Sequence, residues 1–539
     1  MASILGTALS GLSASQVALD TISHNIANVN TENYSRQSVL LDTRAAQYTG
    51  SGYVGQGVDI AAISRNYDQF INQHLTLTTS AYNEADTLYT LSAQVDSLLS
   101  GDSTSLSPTL TSFFSAVNEV ADDPTSLPVR QVMLTEGKFL TQQFNSMVRQ
   151  FSELRDQNNN QIDANLAQVN AYAQSIAEIN AKLVQANDGA TANDLLDQRD
   201  NLVAKIAEKV SVSSIVQKDG SLSVFIGSGQ SLVLGNKAAT LSLASSNTDV
   251  AHKNILLDGQ DVTKQITGGD LAGQLRFRDE ILDPAQQQIG LLAAGAAVTF
   301  NALHSGGYDL KGATGANFFN IAAPAVVNEN TSQATITTSY SAQTIGQLSA
   351  SDYRLNYDGS NFQLTRLSDN TTTSYSGAVP LTINGPGFDI TISGTLAAND
   401  SFLIRPTYNA AGQIDTALSD PNTIAASASA DTVPGDNTVA LKLAALEHQE
   451  ILLAGKATFN EVNGQLVSKV GTLTSSAKVN SSAQEAIFNQ AKQTRENLSG
   501  VNLDEEAANL IRFQQSYQAA AQAINTASTI FDTLLGVLG

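Results

Sequence analysis

The two ends of the chain carry the same spacing of apolar residues. Near the start, apolar and small residues recur in alternating steps of three and four, and near the end they recur every seven residues with further ones between. This spacing is typical of the a and d positions of a coiled coil. We therefore expect both termini to be helices that pair with each other. The first stripe contains Leu5, Ala8, Leu12, Ser15, Leu19, Ile22 and Ile26, and the second contains Leu503, Leu510, Phe513, Tyr517, Ala520, Ile524, Ala527, Phe531, Leu534 and Leu538.

Charge is nearly absent from both stripes. Residues 510–538 contain only Arg512 and Asp532 as charged residues, and residues 1–31 contain only Asp20. A coiled coil exposed to water usually carries Glu and Lys beside its seam. Two interpretations remain open, a helical hairpin inside one globular domain or a helix pair buried among copies of the chain in a polymer. We favour the polymer, and we expect both ends to be mobile in the free chain because one seam cannot offset the entropy of ordering them.

Composition argues against several classes of partner. The chain has 539 residues, with 28 basic and 50 acidic ones, so its formal net charge is −22. Binding to nucleic acid or to an anionic membrane needs a basic surface. Cysteine is absent, which excludes disulfides and thiolate metal sites. Polar residues interrupt the most apolar stretch, residues 4–22, and no basic residue precedes Arg36, so neither a membrane span nor an ordinary secretory signal is predicted.

The middle of the chain alternates between helical and strand patterns. Residues 63–210 are predicted to be mainly helical, with breaks near 100–108 and 122–128, and residues 211–276 to form strands. The Asp-Gly pairs at 219–220, 258–259 and 358–359 stand between apolar runs and predict tight hairpins. A helix is expected over 278–303, a β-rich stretch over 324–406, and helices again over 441–446 and 459–498.

These patterns predict an α+β multidomain protein with a nested, out-and-back topology. The paired terminal helices form a coiled-coil core, followed by a helical middle domain and β-rich outer domains. The expected division is residues 1–62 with 500–539 for the terminal domain and its connecting segment, and 63–210 with 411–499 for the helical domain. Residues 211–323 form a mixed β/α part, and residues 324–410 form the β-rich outer domain.

Signals for catalysis or cofactors are sparse. No two of the five histidines lie within three to five residues of one another, as metal ligands on one element would. No nucleophile elbow, phosphate loop or calcium loop is present in the sequence. We therefore expect a protein that is not an enzyme, with no catalytic residue, no metal and no cofactor.

Motifs at both ends resemble those of a known family. The stretches LSGL at 9–12, ISHNIANVNT at 22–31 and YSRQ at 34–37 resemble the N-terminal signature of the bacterial flagellar axial proteins, which include rod, hook and hook-associated proteins. The stretches VNLDEEAANL at 501–510 and FQQSY at 513–517 resemble the matching C-terminal signature. Three further stretches, at 54–58, 65–68 and 195–200, are similar to the hook-associated members. The family usually has Gly before Tyr34, where this chain has Asn33, and we expect Asn33 to adopt the same left-handed conformation.

The resemblance implies a structural role at the junction between the flagellar hook and filament. It implies self-assembly into a helical or ring structure, contacts with the hook protein and with the second hook–filament junction protein, and an export chaperone on the C-terminal helix. It further implies an extracellular location, reached through the flagellar type III export apparatus. Partners of other classes, nucleic acid and membrane, are not expected.

The predicted functional site is an assembly interface. Leu5, Leu12, Leu19 and Ile26 are expected to pair with the C-terminal stripe, and the connecting segment is expected to be shaped by Asn28, Asn30, Thr31 and Tyr34. The full predicted set comprises Leu5, Leu9, Leu12, Leu19, Ile22, Ile26, Asn28, Asn30, Thr31, Tyr34, Leu510, Phe513, Tyr517, Ile524, Phe531, Leu534 and Leu538.

Two alternatives stay open on the sequence alone. The chain could be a hook-type axial protein, although the stretches at 65–68 and 195–200 argue against this. It could instead be a secreted enzyme or adhesin that acts on surface glycans through its β-rich domain. A glycosidase needs two carboxyl groups about 5–10 Å apart in a cleft. The candidates for such a pair are Asp352, Asp358, Asp369, Asp389 and Asp400.

Overall fold

A computed structural model describes residues 2–50, 52–101, 104–185, 192–246, 249, 251–330 and 332–538. Within these ranges the side chains of residues 2, 3, 534, 535, 537 and 538 lie outside what is described. The molecule is an α+β protein with helical termini and a β-rich middle, as the sequence predicts.

The N-terminal region is a long helix followed by a β-hairpin. The strands β1 and β4 pair antiparallel from Gln37 opposite Arg65 to Thr43 opposite Val58, with a register shift between Leu40 and Leu41. The strands β2 and β3 form a second, short ladder beyond them. The elements are α1 (Ala2–Ala27), β1 (Gln37–Thr43), β2 (Gln47–Tyr48), β3 (Tyr53–Val54) and β4 (Val58–Arg65).

Four helices follow the hairpin, and the first two breaks between them lie where the sequence predicts them. They are α2 (Gln69–Ser100), α3 (Ser107–Asp122), α4 (Leu127–Gln185) and α5 (Asn193–Lys209). The side chain of Asp68 caps α2 by accepting hydrogen bonds from the backbone amides of Phe70 and Ile71. Pro108 stands in the first turn of α3, where its missing amide proton is not needed.

Two small antiparallel sheets come next, and the Asp-Gly hairpins lie where expected. Their strands are β5 (Val212–Val216), β6 (Leu222–Ile226), β7 (Gln230–Leu234) and β8 (Lys237–Ala238) in one sheet, and β9 (Leu241–Ser245), β10 (Lys253–Leu257) and β11 (Gln260–Asp261) in the other. The chain continues through α6 (Gly269–Arg276), a π-helical segment (Phe277–Leu282) and α7 (Asp283–His304). The predicted helix over 278–303 is therefore present, with a π turn at its start.

The β-rich domain contains a five-stranded and a three-stranded antiparallel sheet. The strand orders are β13-β20-β15-β16-β17 and β14-β19-β18, and β12 pairs with β21 beside them. Tyr353, Leu355, Phe362 and Leu364 point inward from the β15–β16 hairpin, which confirms the predicted alternation. The strands are β12 (Phe319–Asn320), β13 (Ala325–Asn328), β14 (Thr335–Tyr340), β15 (Tyr353–Tyr357), β16 (Asn361–Arg366), β17 (Thr371–Ser376), β18 (Leu381–Asn384), β19 (Phe388–Ser393), β20 (Ser401–Arg405) and β21 (Asp415–Thr416).

The chain then returns to the helical body and to its own N-terminus. The last helices are α8 (Thr438–Ala445), α9 (Leu452–Gly455), α10 (Phe459–Ser499) and α11 (Leu503–Leu538). A capping box between Thr458 and Glu461 starts α10, which packs along α2 with Tyr82 stacked on Phe488. The final helix α11 packs on α1. The nested topology and the pairing of the two ends are therefore as predicted.

Two hydrophobic cores hold these elements together. One core joins α2, α3, the first part of α4, α7, the β-rich domain and α10. The other joins the second part of α4 with α5, α6 and the small sheets. Because α4 contributes to both cores, it is the rigid link between them.

Candidate assembly interface

Small residues form the contact between α1 and α11. Ala8, Ala18 and Ile22 are buried on α1, and a Cβ built on Gly11 would lie 4.0 Å from the Cβ of Ala520. Small side chains let two helix backbones approach closely, so the contact is tight although few large residues enter it.

The two helices run antiparallel in a register that two contacts fix. Asn25 hydrogen-bonds to Glu506, and Gly11 lies beside Ala520, so moving back along α1 corresponds to moving forward along α11. Continued by the same number of residues, this register puts Phe531 level with the first residues of α1. Within one chain, Phe531 is therefore distant from Leu12, Leu19 and Ile26.

The large apolar residues of the predicted interface remain largely uncovered in the single chain. Leu9 is 58% exposed and Phe531 is 53% exposed, and Leu5 and Tyr517 are also exposed. Ile22 and Tyr34 are the buried ones among the members whose side chains are described. The side chains of Leu534 and Leu538 lie outside the described ones. The half-buried members are Leu12, Leu19, Ile26, Leu510, Phe513 and Ile524.

A buried amide ties the end of α1 to α11 and to the hairpin. Asn25 is 1% exposed and makes four hydrogen bonds. Its amide nitrogen donates to the carbonyl of Gln37 at 2.9 Å and to Glu506 Oε2 at 3.1 Å. Its oxygen accepts from the Tyr34 hydroxyl at 2.8 Å and from the Gln37 amide at 2.9 Å. All of its hydrogen-bonding capacity is used, so the node specifies one geometry for the three segments.

The charge of Glu506 is balanced by Arg36. The Nε of Arg36 donates to Glu506 Oε1 at 2.7 Å, and its Nη1 donates to Glu505 Oε2 at 2.6 Å. The backbone of Arg36 also donates to the carbonyl of Ser499 at 2.9 Å and accepts from the amide of Asn66 at 2.8 Å. Because Glu506 is 1% exposed, an unpaired carboxylate here would be costly, and Arg36 locks the start of α11 against the hairpin.

A second ion-pair group fixes the base of the hairpin to α5. The Nη1 of Arg65 donates to Asp197 Oδ1 at 2.7 Å and to Asp200 Oδ2 at 2.8 Å. Asp197 also accepts from the backbone amide of Ser35 at 3.3 Å. Burial raises the pKa of Asp200, and Arg65 opposes that rise. Burial, followed by the nearby carboxylates, raises the pKa of Tyr34 as well, so its hydroxyl stays protonated as a donor.

The connecting segment turns where the sequence predicts a left-handed residue. Asn33 has φ +58°, which confirms the predicted left-handed conformation. Its side chain donates to Asn201 Oδ1 at 2.9 Å, and its carbonyl accepts from Arg495 at 2.7 Å. Asn28 and Thr31 hydrogen-bond to each other within the turn after α1.

Sequence reasoning missed the polar members of this site. Asn25, Arg36, Arg65, Asp197 and Glu506 all lie within stretches that carry the family resemblance, but they were not included in the predicted set. The available signal was the density of Asn, Arg and acidic residues in those stretches. The composition of these stretches does not predict that residues hundreds of positions apart hydrogen-bond to one another.

Three of the five candidate carboxylates for a glycan enzyme, Asp358, Asp369 and Asp400, are held by local contacts in the fold. Asp358 accepts from the amides of Ser360 and Asn361, and Asp369 accepts from the amide of Thr371 and pairs with Arg366. These contacts lower the pKa of both groups, Asp358 chiefly through the amides and Asp369 chiefly through Arg366. Asp400 accepts from the amide of Ala397. These contacts support the interpretation of these residues as turn-forming rather than as an acid/base pair.

His304 is a structural histidine. Its Nδ1 lies 2.6 Å from the carbonyl of Ala316, and its Nε2 accepts from the amide of Ala425 at 2.9 Å. Burial lowers its pKa to about 4, so the neutral ring that donates from Nδ1 fits both contacts.

Curated relatives match over the whole chain. Flagellar hook-associated protein 1 of Salmonella typhimurium is 34% identical, and that of Escherichia coli is 32% identical, each covering 100% of both chains. The chain belongs to the flagellar hook-associated protein 1 family. The relative from Bacillus subtilis is 24% identical over 99% of this chain and 98% of its own. Membership in this family places the chain in the flagellum as one of its structural components, and these full-length matches do not support the hook-type alternative.

Family profiles match separate parts of the chain. Residues 92–319 match the helical domain of flagellar hook-associated protein FlgK, and residues 326–406 match the D2-like domain of flagellar hook-associated protein 1. Residues 5–34 match the flagella basal body rod protein, and residues 492–537 match the C-terminal region of the flagellar basal body rod proteins FlgEFG. The terminal helices of this hook-associated protein therefore carry the features shared with rod proteins.

A solved structure shares the fold. The flagellar hook junction protein FlgK from Burkholderia pseudomallei superposes with a TM-score of 0.72 at 24% identity, over 79% of this chain and 100% of its own. Among the helices described here, none combines the length and the apolar character needed to cross a membrane.

Proposed function

We propose that this hook-associated protein is a non-enzymatic subunit of the junction between hook and filament, and that it polymerises through α1 and α11. The observation that carries the proposal is the apolar face that the paired termini leave uncovered. Ile4, Leu5 and Leu9 are exposed on α1, and Ile511, Tyr517, Ile530 and Phe531 are exposed on α11. Complete burial of an exposed side chain of this kind contributes about 1.5–3 kcal/mol, so burying these half-exposed side chains contributes about half of that each, and a set of this size supports a stable assembly.

The hydrogen-bonded group at the base of the α1–α11 pair supports the same proposal. Asn25, Arg36 and Glu506 fix the angle at which the helix pair leaves the body of the molecule. A polymer needs each subunit to present its contact surfaces in one orientation, and hydrogen bonds that use every donor and acceptor provide this. The predicted interface residues therefore act in assembly, while the connecting residues position them.

The partners follow from the proposed place in the flagellum. Other copies of the chain cover the apolar face of α11, and the hook protein and the second junction protein contact the ends of the assembly. Before assembly, an export chaperone on α11 shields that face, and the chain leaves the cell through the flagellar type III apparatus. Neither nucleic acid nor a membrane takes part, which is consistent with the net charge of −22.

Substitution of Phe531 separates assembly from folding. We expect Phe531→Asp to abolish incorporation and motility while the middle domains stay folded, because a charge would replace an apolar side chain that only other subunits bury. The matched control is Phe531→Leu, which keeps an apolar side chain and is expected to retain motility. Incorporation is measured by electron microscopy of flagella, and folding by circular dichroism of the purified chain. Global unfolding of the Asp variant would instead support a role inside one subunit.

Removing the protein from cells tests its proposed position at the junction between hook and filament. Cells that lack it are expected to make hooks that carry no filament, as seen by electron microscopy. Cells with normal filaments, or with no hooks, would contradict the proposed position.

A further inference from the structure

A charged cavity lies where the helical body, the small sheets and the β-rich domain meet. Its lining contains Arg155 of α4, Asp279 of the π-helical segment, Asp283 of α7, His252 between β9 and β10, and Arg405 at the end of β20. Five carboxylates and four Arg or Lys side chains line it in total, so its net charge is negative when His252 is neutral. The proposed assembly role does not use this cavity.

Three of the lining residues place possible metal ligands together. One ligand atom from each of His252, Asp279 and Asp283 lies within 4.8 Å of the other two. Asp283 Oδ2 lies 3.8 Å from His252 Nδ1. This grouping brings a loop of the small sheets against the start of α7, although the residues are distant from one another in sequence.

An arginine pairs with each of the two carboxylates. Asp283 Oδ1 lies 2.7 Å from Arg155, and Asp279 Oδ1 accepts from Arg278 Nε at 2.7 Å. Groups that hold the outer oxygen of a ligating carboxylate fix its orientation, as outer-shell partners do in metal sites. Arg155 is itself held by Gln286 at 2.6 Å, and Arg278 by the carbonyl of Lys253 at 2.6 Å.

The backbone around the carboxylates is unusual. The segment Phe277–Leu282 is π-helical and joins α6 directly to α7. Such segments are rare and often stand at functional sites, because they shift side chains relative to a regular helix. Here the π segment carries Asp279, and Asp283 follows it.

We propose that His252, Asp279 and Asp283 bind one divalent cation of the zinc class. One imidazole and two carboxylates form a ligand set that suits Zn²⁺, with water completing the coordination. The same set suits Ca²⁺ and Mg²⁺ poorly, because these ions prefer oxygen ligands only. The bound ion ties the loop before β10 to the start of α7, and Arg405 connects the same loop to the β-rich domain through Asp249 and Asp352.

The test uses the full chain and Zn²⁺ alone. Calorimetric titration at neutral pH is expected to show one saturable site, and Co²⁺ is expected to give visible absorption at the same stoichiometry. Because the chain has no cysteine, that absorption reports nitrogen and oxygen ligands. We expect His252→Ala and Asp279→Asn each to weaken Zn²⁺ binding at least about tenfold.

A matched control is present in the chain. His448 also lies 3.8 Å from a carboxylate, that of Glu447, but it is exposed and does not belong to the three-residue group. His448→Ala is expected to leave the affinity unchanged. The proposal is overturned if Zn²⁺ binds more weakly than about 0.1 mM, or if His252→Ala and Asp279→Asn bind it as the parent chain does. Asp279 is about half exposed, so its variant serves as the test if His252→Ala fails to fold.

Discussion

At the scale of single residues, the family motifs are explained by hydrogen bonds rather than by packing. Asn25 and Arg36 each connect segments that are far apart in the chain, and the carboxylate of Glu506 accepts hydrogen bonds from both side chains. The left-handed conformation of Asn33 was predicted from the family resemblance, which has glycine at this position. The sequence did not predict the partners of Asn25, since nothing local distinguishes a buried Asn with four hydrogen bonds from one on the surface.

The conformation of Asn33 leads to a first prediction. Asn33→Ala and Asn33→Gly both lose the side-chain bond to Asn201, so their difference isolates the backbone. We expect the Ala variant to be less stable than the Gly variant by about 1–2 kcal/mol in the connecting segment, because an L-residue is strained at φ +58°. Hydrogen exchange of residues 25–37 measures this difference. Equal protection in the two variants would contradict it.

A second prediction concerns the buried carboxyl of Asp352. Burial raises its pKa from 3.8 to about 6, against the opposing effect of Arg405. The folded state therefore binds this proton more tightly than the unfolded state, and the stabilising effect of protonation is lost as pH rises from about 4 to about 6. The asparagine side chain in Asp352→Asn does not titrate. The free energy of unfolding of this variant, relative to that of the parent, should therefore rise by about 2–3 kcal/mol as the pH increases from about 4 to about 6.

The measurement for Asp352 is the midpoint of thermal unfolding of the parent chain and of Asp352→Asn between pH 4 and pH 7. The midpoint of the variant should rise relative to that of the parent by a few degrees as the pH increases. Asp358→Asn is the control. Backbone amides lower the pKa of Asp358. The stability that its carboxylate contributes is therefore lost only as the pH falls below about 5, and between pH 5 and pH 7 the difference between Asp358→Asn and the parent should stay constant. If the difference between Asp352→Asn and the parent also stays constant with pH, the pKa of Asp352 is not raised.

At the scale of elements, periodicity located most helices and strands, and the Asp-Gly pairs located the hairpins. Periodicity did not determine which stripe of α1 faces α11. Within the predicted stripe the structure buries Ala8 and Ile22 but leaves Leu5 exposed, and outside that stripe it buries Ala18 and leaves Leu9 exposed. Leucines would be expected inside if the chain acted alone, so their exposure is consistent with a surface that other subunits cover.

Two helical glycines provide a third prediction at this scale. A Cβ on Gly290 of α7 would lie 1.8 Å from the carbonyl oxygen of Thr407, where the chain leaves β20. A Cβ on Gly464 of α10 would have no neighbour within 4 Å. We expect Gly290→Ala to destabilise the chain by about 3 kcal/mol or more through this clash.

Gly464→Ala is the matched control and should stabilise the chain by about 0.5–1 kcal/mol, because alanine loses less entropy in a helix. Thermal unfolding of both variants measures the contrast. Equal effects would mean that α7 and the chain after β20 do not approach each other as closely as the structure shows.

At the scale of the whole molecule, the chain leaves its terminal helix pair, builds two cores and returns. We propose the division into residues 1–62 with 500–539, 63–210 with 411–499, 211–323, and 324–410 as a description of parts that differ in role. The cores do not stop at these positions, since α4 contributes to both. Rigidity across the parts is useful to a subunit that transmits orientation from one neighbour to the next.

A fourth prediction concerns the order of the ends. The terminal helices bury mainly small residues against each other and leave their large apolar side chains exposed. We expect limited proteolysis of the free chain to remove both ends before it cuts the middle, and assembly to protect them. Gel analysis with mass spectrometry of the fragments measures this. Ends that resist proteolysis as well as the cores do would contradict the proposal that they become ordered on assembly.

The sequence by itself determined the helical ends, the hairpins, the left-handed turn at Asn33 and the family resemblance, because each depends on neighbours or on spacing along the chain. The tertiary structure alone decided which stripe of α1 is buried, how Asn25, Arg36 and Glu506 meet, and that His252 stands beside Asp279 and Asp283. The physical reason is that these contacts join residues distant in sequence. Their geometry is set by the packing of whole elements, which no local pattern encodes.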